Sequence, residues 1–288
     1  MIAIPFSATI LALSLAMAQA QPEDRYVTVG GLRIHYVEWG SPDGQPMILL
    51  HGIGRIARTF DPLAARLAGD YRVLAVDMRG HGDSAWHPDG DYLVEDYVTD
   101  IEGLAAELGL ADIVLWGNST GGRVAQVFAA RNPELTAAVI SEDVGPERPS
   151  TIAGSLAGRI RREEAGWATE DELLGELIAS SPRTSEPVLR AYVEFGSKRR
   201  DDGRVVWKRD PAINDGFVPT DLWRFVSEIR SPIIYILGGR STIVPAETQT
   251  ELRRVLPQVE IVTMPGLGHY PSEENPEEFL EIVRAFLD

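Results

Sequence analysis

The run Asp112-Ile113-Val114-Leu115-Trp116-Gly117-Asn118-Ser119-Thr120-Gly121-Gly122 constrains this chain more than any other stretch. An apolar segment breaks at a glycine, presents one serine and passes into a helical pattern, which reads as strand, sharp turn and helix. Small residues at Gly117, Gly121 and Gly122 let the chain turn tightly and let strand and helix approach, leaving the Ser119 hydroxyl exposed on a strained turn. Gly-x-Ser-x-Gly also occurs in ordinary turns, so its weight comes from what surrounds it.

The surroundings repeat the same unit. Tyr26 to Val29 and Leu32 to Trp39 alternate apolar and polar residues around Gly30-Gly31, the pattern of a half-exposed antiparallel hairpin at a sheet edge. Pro46 to Leu50 and Tyr71 to Val76 are near-continuous apolar runs, as strands covered on both faces require. Helical patterns from Phe60 to Leu67 and Tyr92 to Leu108 separate these strands, so right-handed crossovers and a parallel sheet are expected. Ala137 to Ile140, Ile233 to Leu237 and Val259 to Val262 supply later strands, and Glu277 to Leu287 a closing helix. The expected class is α/β: a mostly parallel central sheet flanked by helices. Between Pro146 and Thr220 the alternation stops, and amphipathic stretches at Glu170 to Ser180 and Glu186 to Phe195 precede a charged turn, Lys198 to Arg204. The expected organisation is therefore a core over 21–145, an inserted helical segment over 146–220 and the rest of the core over 221–288.

Residues 1–20 stand apart. Ile2 to Ala18 are apolar and end in Ala16-Met17-Ala18 and Ala18-Gln19-Ala20, small residues where signal peptidase would cut. A secretory signal is the first reading, with a periplasmic or secreted mature chain that keeps no stable membrane association. The absence of lysine and arginine before the apolar run leaves a membrane anchor or a misassigned start, with a cytoplasmic chain, as the alternatives. The 288 residues carry 27 basic and 43 acidic side chains, a net charge of −16, which argues against nucleic acid as a partner. There is no cysteine, hence no disulfide and no thiolate nucleophile.

Leu49-Leu50-His51-Gly52-Ile53-Gly54 ends a buried strand in a glycine-rich loop on the carboxyl edge of the sheet, where α/β proteins place ligands. With Ser119 as nucleophile, the amides of Ile53 and Thr120 would form an oxyanion hole, while His51 is expected to order the loop. Of the five histidines, only His269 follows a late strand, which suits a general base in the chain order serine, acid, histidine. These residues, together with Asp77-Met78-Arg79-Gly80-His81-Gly82-Asp83-Ser84 and Glu273 to Phe279, make the chain resemble the α/β-hydrolases of the cap-bearing esterase, epoxide hydrolase and dehalogenase group from about Tyr26 to Asp288. Relatives that open epoxides or displace halide have aspartate at the elbow. Ser119 implies acyl transfer through an acyl-enzyme instead, with esters and lactones the commonest substrates.

The sequence departs from the family at one point. The resemblance implies an acid in a Gly-x-x-Asp turn after Ile233 to Leu237, but the chain reads Gly239-Arg240-Ser241-Thr242. Some members, including certain dehalogenases and zearalenone-opening lactonases, carry the acid after the preceding strand, about 24 residues beyond the nucleophile. Asp143 lies 24 residues beyond Ser119 and is the candidate acid. Glu142 is the second choice, since one residue at a strand end reverses the face, and Glu247 the third. The 146–220 insertion corresponds to the family's cap. Trp167, Tyr192, Phe195 and Trp207 could line a pocket there, or pack cap onto core. No metal-ligand spacing, phosphate loop or dinucleotide fingerprint appears, so no cofactor is implied. The expected partner is a small-molecule ester or lactone, and nothing signals an oligomeric state. The competing readings are a carbon–carbon bond hydrolase of ring-cleavage products, which shares the Gly-Asn-Ser-x-Gly-Gly elbow, and a ligand-binding protein without catalysis on the same fold.

Overall fold

A computed structural model describes residues 21–148 and 150–288. The expected signal segment, residues 1–20, lies outside the described residues, and no helix among those described is long and apolar enough to cross a membrane.

The apolar runs assemble into one eight-stranded sheet: β1 (Glu23–Val29), β2 (Leu32–Trp39), β3 (Gln45–Leu50), β4 (Tyr71–Val76), β5 (Ile113–Asn118), β6 (Thr136–Glu142), β7 (Ile233–Gly238) and β8 (Val259–Met264). The spatial order is β1-β2-β4-β3-β5-β6-β7-β8. β1 and β2 form the antiparallel edge hairpin, β2 joins β4 antiparallel, and every later pairing is parallel. β5 is buried along its whole length because helices cover both faces. Alternate residues feed opposite sides: Ile48 and Leu50 pack under α2 (Val94–Glu107) and α3 (Thr120–Arg131), whereas Met47 and Leu49 pack under α1 (Asp61–Leu67) and the C-terminal helix Pro276–Leu287.

Between β6 and β7 the chain forms α4 (Ser150–Glu163), α5 (Glu170–Ser180) and α6 (Glu186–Gly196), with a small apolar cluster of their own that includes Leu173, Leu189, Tyr192 and Trp207. Glu147 and Arg148 pair with Asp221 and Thr220, closing the neck of this segment. The charged stretch read as a turn is in fact half of a hairpin. Ser197–Arg199 pairs with Val205–Trp207, and only the residues between them form the turn. Three residues per strand are too few for alternation to show in the sequence.

Candidate active site

The register of the parallel strands builds the site. Leu50 lies opposite Gly117 and Asn118 opposite Glu142, so the His51-Gly52-Ile53 loop, the Ser119 turn and Asp143 all emerge side by side at the carboxyl edge. Ser119 adopts φ 52°, ψ −117°, a conformation that costs a side-chain-bearing residue about 1–3 kcal/mol and is held by its neighbours. Its amide donates to the Glu142 carbonyl at 3.0 Å, and its own carbonyl accepts the Arg123 amide at 3.2 Å. Glycine is obligatory behind it. A Cβ on Gly121 would lie 2.1 Å from the Leu50 carbonyl oxygen, so only glycine lets α3 start this close to β3.

The glycine-rich loop meets the elbow with the same economy of space. A Cβ on Gly52 would lie 2.7 Å from Asn118 Oδ1 and 3.0 Å from Ser119 Cβ, which places the backbone around Ile53 directly against the serine. The Arg55 amide donates to the Gly52 carbonyl at 3.0 Å, making Ile53 part of a tight turn. Thr120 is the first residue of α3, where backbone N–H groups have no acceptor within the helix. His51 is fully engaged elsewhere: Nε2 accepts the Met78 amide at 3.0 Å and Nδ1 donates to the Gly52 carbonyl at 2.9 Å. Burial lowers its pKa, so the ring is neutral, and it serves to order the loop.

Asp143 and His269 are brought together. Nδ1 of His269 lies 2.7 Å from Asp143 Oδ2, and Asp143 Oδ1 accepts the Gly238 amide at 3.0 Å. Asp143 sits at φ 46°, and its amide donates to the Ile236 carbonyl of β7, so the carboxylate is fixed by two strands. It is 1% exposed, whereas the imidazole is 27% exposed and keeps Nε2 free. Asn118 Nδ2 donates to the His269 carbonyl at 3.2 Å, tying the residue before the serine to the histidine loop. No hydrogen bond joins Ser119 Oγ to the ring.

The other candidate acids are elsewhere. Glu142 points to the opposite side of the strand end, where it accepts the Ser272 amide at 2.9 Å and Trp116 Nε1 at 3.0 Å. Burial raises its carboxyl to about 7 against the pull of those two donors. Glu247 is exposed in the first turn of helix Ala246–Val255, and Thr242 is likewise exposed. Among the described residues, His35, Asp77 and Asp83 each offer a metal-type donor within 4.8 Å of the others. Asp77 is already engaged there by His35 Nδ1 and by the amides of Ala57 and Asp83.

Arg55 was not singled out in the sequence, and Tyr192 was named there only as a pocket or packing residue. Arg55 forms a bidentate pair with Glu273 and stacks 4.0 Å over the Tyr270 ring, locking the Ile53 loop to the histidine loop. Tyr192 donates its hydroxyl to the Gly54 carbonyl, linking the inserted segment to the same loop. Tyr192 also stacks on Trp207 at 4.3 Å, so these aromatic residues pack together as well as line a cavity. That cavity, of about 580 Å³, is bordered by Trp167, Tyr192, Trp207 and charged side chains such as Arg209 and Glu163, and also by Gly54 and Tyr270, the chain neighbours of Ile53 and His269.

The structure places a serine on a strained turn, a histidine bonded to a buried carboxylate, a loop amide and the first amide of α3 at the sheet's carboxyl edge. The model of the alpha/beta hydrolase family matches residues 47–282. The chain belongs to the alpha/beta hydrolase family. As a member of that family it is 28% identical over 266 residues to 2-(acetamidomethylene)succinate hydrolase of Mesorhizobium japonicum, covering 92% of this chain and 95% of that one. A crystal structure of E-2-(acetamidomethylene)succinate hydrolase superposes with a TM-score of 0.86, at 28% identity over 93% of this chain and 100% of the other. The Mycobacterium tuberculosis esterase Rv0045c is 31% identical over 273 residues, covering 93% and 90% of the two chains. N-formylmaleamate deformylase of Pseudomonas putida is 28% identical over 274 residues, covering 91% and 95%.

Proposed function

We propose that this alpha/beta hydrolase is a serine enzyme that cleaves a small carboxylic ester or lactone through an acyl-enzyme on Ser119. Ser119 Oγ attacks the acyl carbonyl while His269 Nε2 takes its proton. The amides of Ile53 and Thr120 hold the resulting oxyanion, and Asp143 fixes the Nδ1–H tautomer and stabilises the imidazolium. The proton then passes to the leaving alkoxide. Water deprotonated by His269 attacks the acyl-enzyme, releasing the acid and restoring the serine. The observation that carries this reading is the 2.7 Å contact between buried Asp143 and His269, beside a serine in a strained left-handed conformation. In the same reading, residues 146–220 act as the cap, and the aromatic cavity under it receives the substrate.

Similarity to an esterase supports an ester substrate. Similarity over most of the chain to relatives named for an acetamidomethylene succinate and an N-formyl maleamate favours, as a second reading, an amide-type acyl group handled by the same residues. The test is a panel of p-nitrophenyl esters, lactones, N-formyl amides and dienoates with wild type and Ser119→Ala. Hydrolysis of esters or lactones that falls by several orders of magnitude in the folded alanine variant supports the proposal. Exclusive turnover of amides or dienoates would move the substrate class, and a fully active alanine variant would overturn the mechanism.

A further inference from the structure

Five arginines are buried among the described residues, and three are matched by carboxylates: Arg55 by Glu273, Arg79 by Asp100 and Arg209 by Glu163. The other two are Arg123, in the first turn of α3, and Arg148, which reaches the Thr120 side chain at the start of that helix, and no acidic side chain acts on either. Arg148 is 3% exposed. Its Nη2 donates to Thr120 Oγ1 at 3.3 Å, its Nη1 donates to the Val218 carbonyl at 3.2 Å, and its guanidinium lies 3.8 Å from the centre of the Phe217 ring. Nε of both arginines is buried without a hydrogen-bond partner.

Leaving a guanidinium buried and unneutralised is among the costlier things a fold can do. Burial alone lowers Arg148 to about 10, so the charge persists at neutral pH. It persists next to Thr120, whose backbone N–H is one of the two amides assigned to the oxyanion. The start of α3 already presents the positive end of its helix there, so the guanidinium adds a charge of the same sign in a site of low dielectric. By contrast, each arginine lining the aromatic cavity is paired with an acid: Arg55 with Glu273, and Arg209 and Arg159 with Glu163.

We propose that Arg148 is an electrostatic positioning residue, whose buried, unneutralised guanidinium holds Thr120 and stabilises the oxyanion formed on Ser119. This rests on the acyl-enzyme reading given above. Arg148 touches no reacting atom; it fixes the Thr120 side chain through one hydrogen bond and acts on the oxyanion through space. The interaction grows only as negative charge develops on the carbonyl oxygen, so it acts on turnover and leaves substrate affinity nearly unchanged.

The experiment compares wild type, Arg148→Met and Arg148→Lys on p-nitrophenyl acetate, with affinity for phenylboronic acid, which forms a tetrahedral anionic adduct on a reactive serine, and with thermal melts. Arg148→Met should lower kcat by about 10²-fold with KM within about threefold, and boronate affinity should fall by a similar factor. Its Tm should equal or exceed that of wild type, because an uncompensated charge has been replaced by a neutral chain of like volume. Arg148→Lys should keep at least about a tenth of wild-type kcat by retaining the charge. Arg148→Gln serves the same comparison should Arg148→Met not fold. An unchanged kcat in the neutral variants overturns the proposal, as does a loss confined to KM for carboxylate-bearing esters, which would make Arg148 a substrate-binding group. A folded Arg148→Lys as impaired as Arg148→Met also overturns it. Wild type that neither hydrolyses esters nor binds the boronate would overturn the acyl-enzyme reading and this inference together.

Discussion

Asp143 joins His269 with one carboxylate oxygen and the Gly238 amide with the other, so the carboxylate that follows β6 is anchored by the end of β7. Asparagine at 143 can keep the Gly238 bond, but it turns its amide N–H₂ toward Nδ1 and favours the wrong tautomer. Asp143→Asn should therefore retain its circular dichroism and melting temperature closely while kcat on one ester falls by roughly 10⁴-fold. A mild defect would mean that another group orients the histidine.

Glu142 gives a second, separable prediction. Burial raises its pKa to about 7, above the ordinary 4.5, so the folded state holds this proton more tightly than the unfolded chain. Its contribution to stability is complete below about pH 4.5 and is lost as pH rises through about 7. Across that interval the Tm of wild type should decline relative to that of Glu142→Gln, which has nothing to titrate there. Turnover should change by less than about tenfold, because the carboxyl faces Ser272 and Trp116 and not the imidazole. A pH-independent Tm difference, or a defect as large as that of Asp143→Asn, would contradict this assignment.

Gly52 tests the oxyanion loop. A methyl group at this position must push against Asn118 Oδ1 and Ser119 Cβ, displacing the Ile53 amide by a fraction of an ångström or more. Gly52→Ala should lower kcat by about 10²-fold with a smaller change in KM, while Tm moves little. Full turnover would show that the loop amide takes no part.

Trp207 stacks on Tyr192 and borders the aromatic cavity. Trp207→Phe should change kcat/KM for bulky esters by several-fold more than for an acetyl ester, because a small acyl group uses little of that cavity. Equal losses on both substrates would point to damaged folding instead.

The sequence carried the core well because both its signals are local. The apolar run Tyr71 to Val76 matches its strand residue for residue, and Val73 to Val76 are buried whichever face they point to. The 24-residue spacing puts Asp143 beside Ser119 because β5 and β6 are adjacent and in register, which follows from one short crossover. The choice between Glu142 and Asp143 was not local. It depends on the positive φ at Asp143 and on Gly238 and Ile236, about 95 residues away. In the inserted segment, Ile152, Ala153, Ala157 and Ile160 of α4 recur at helical spacing, but Gly154 and Gly158 interrupt the run of helix formers and weaken the local signal. Arg123 is legible in the sequence: Gly121-Gly122-Arg123-Val124-Ala125-Gln126-Val127-Phe128 is small or apolar nearly all round, a helix that must be buried together with its arginine. Arg148 has no such signal, because its burial comes from Phe217 and Val218 some 70 residues later.

The central claim is a covalent intermediate on Ser119 driven by His269 and Asp143. It is tested most directly by treating wild type, Ser119→Ala and Asp143→Asn with a fluorophosphonate and measuring intact and peptide masses over time. Wild type should carry one adduct on the Ser119 peptide and Ser119→Ala none, and labelling of Asp143→Asn should be slowed by at least about 10³-fold. An unlabelled wild type, an adduct on another residue, or equal rates for wild type and Asp143→Asn would contradict it.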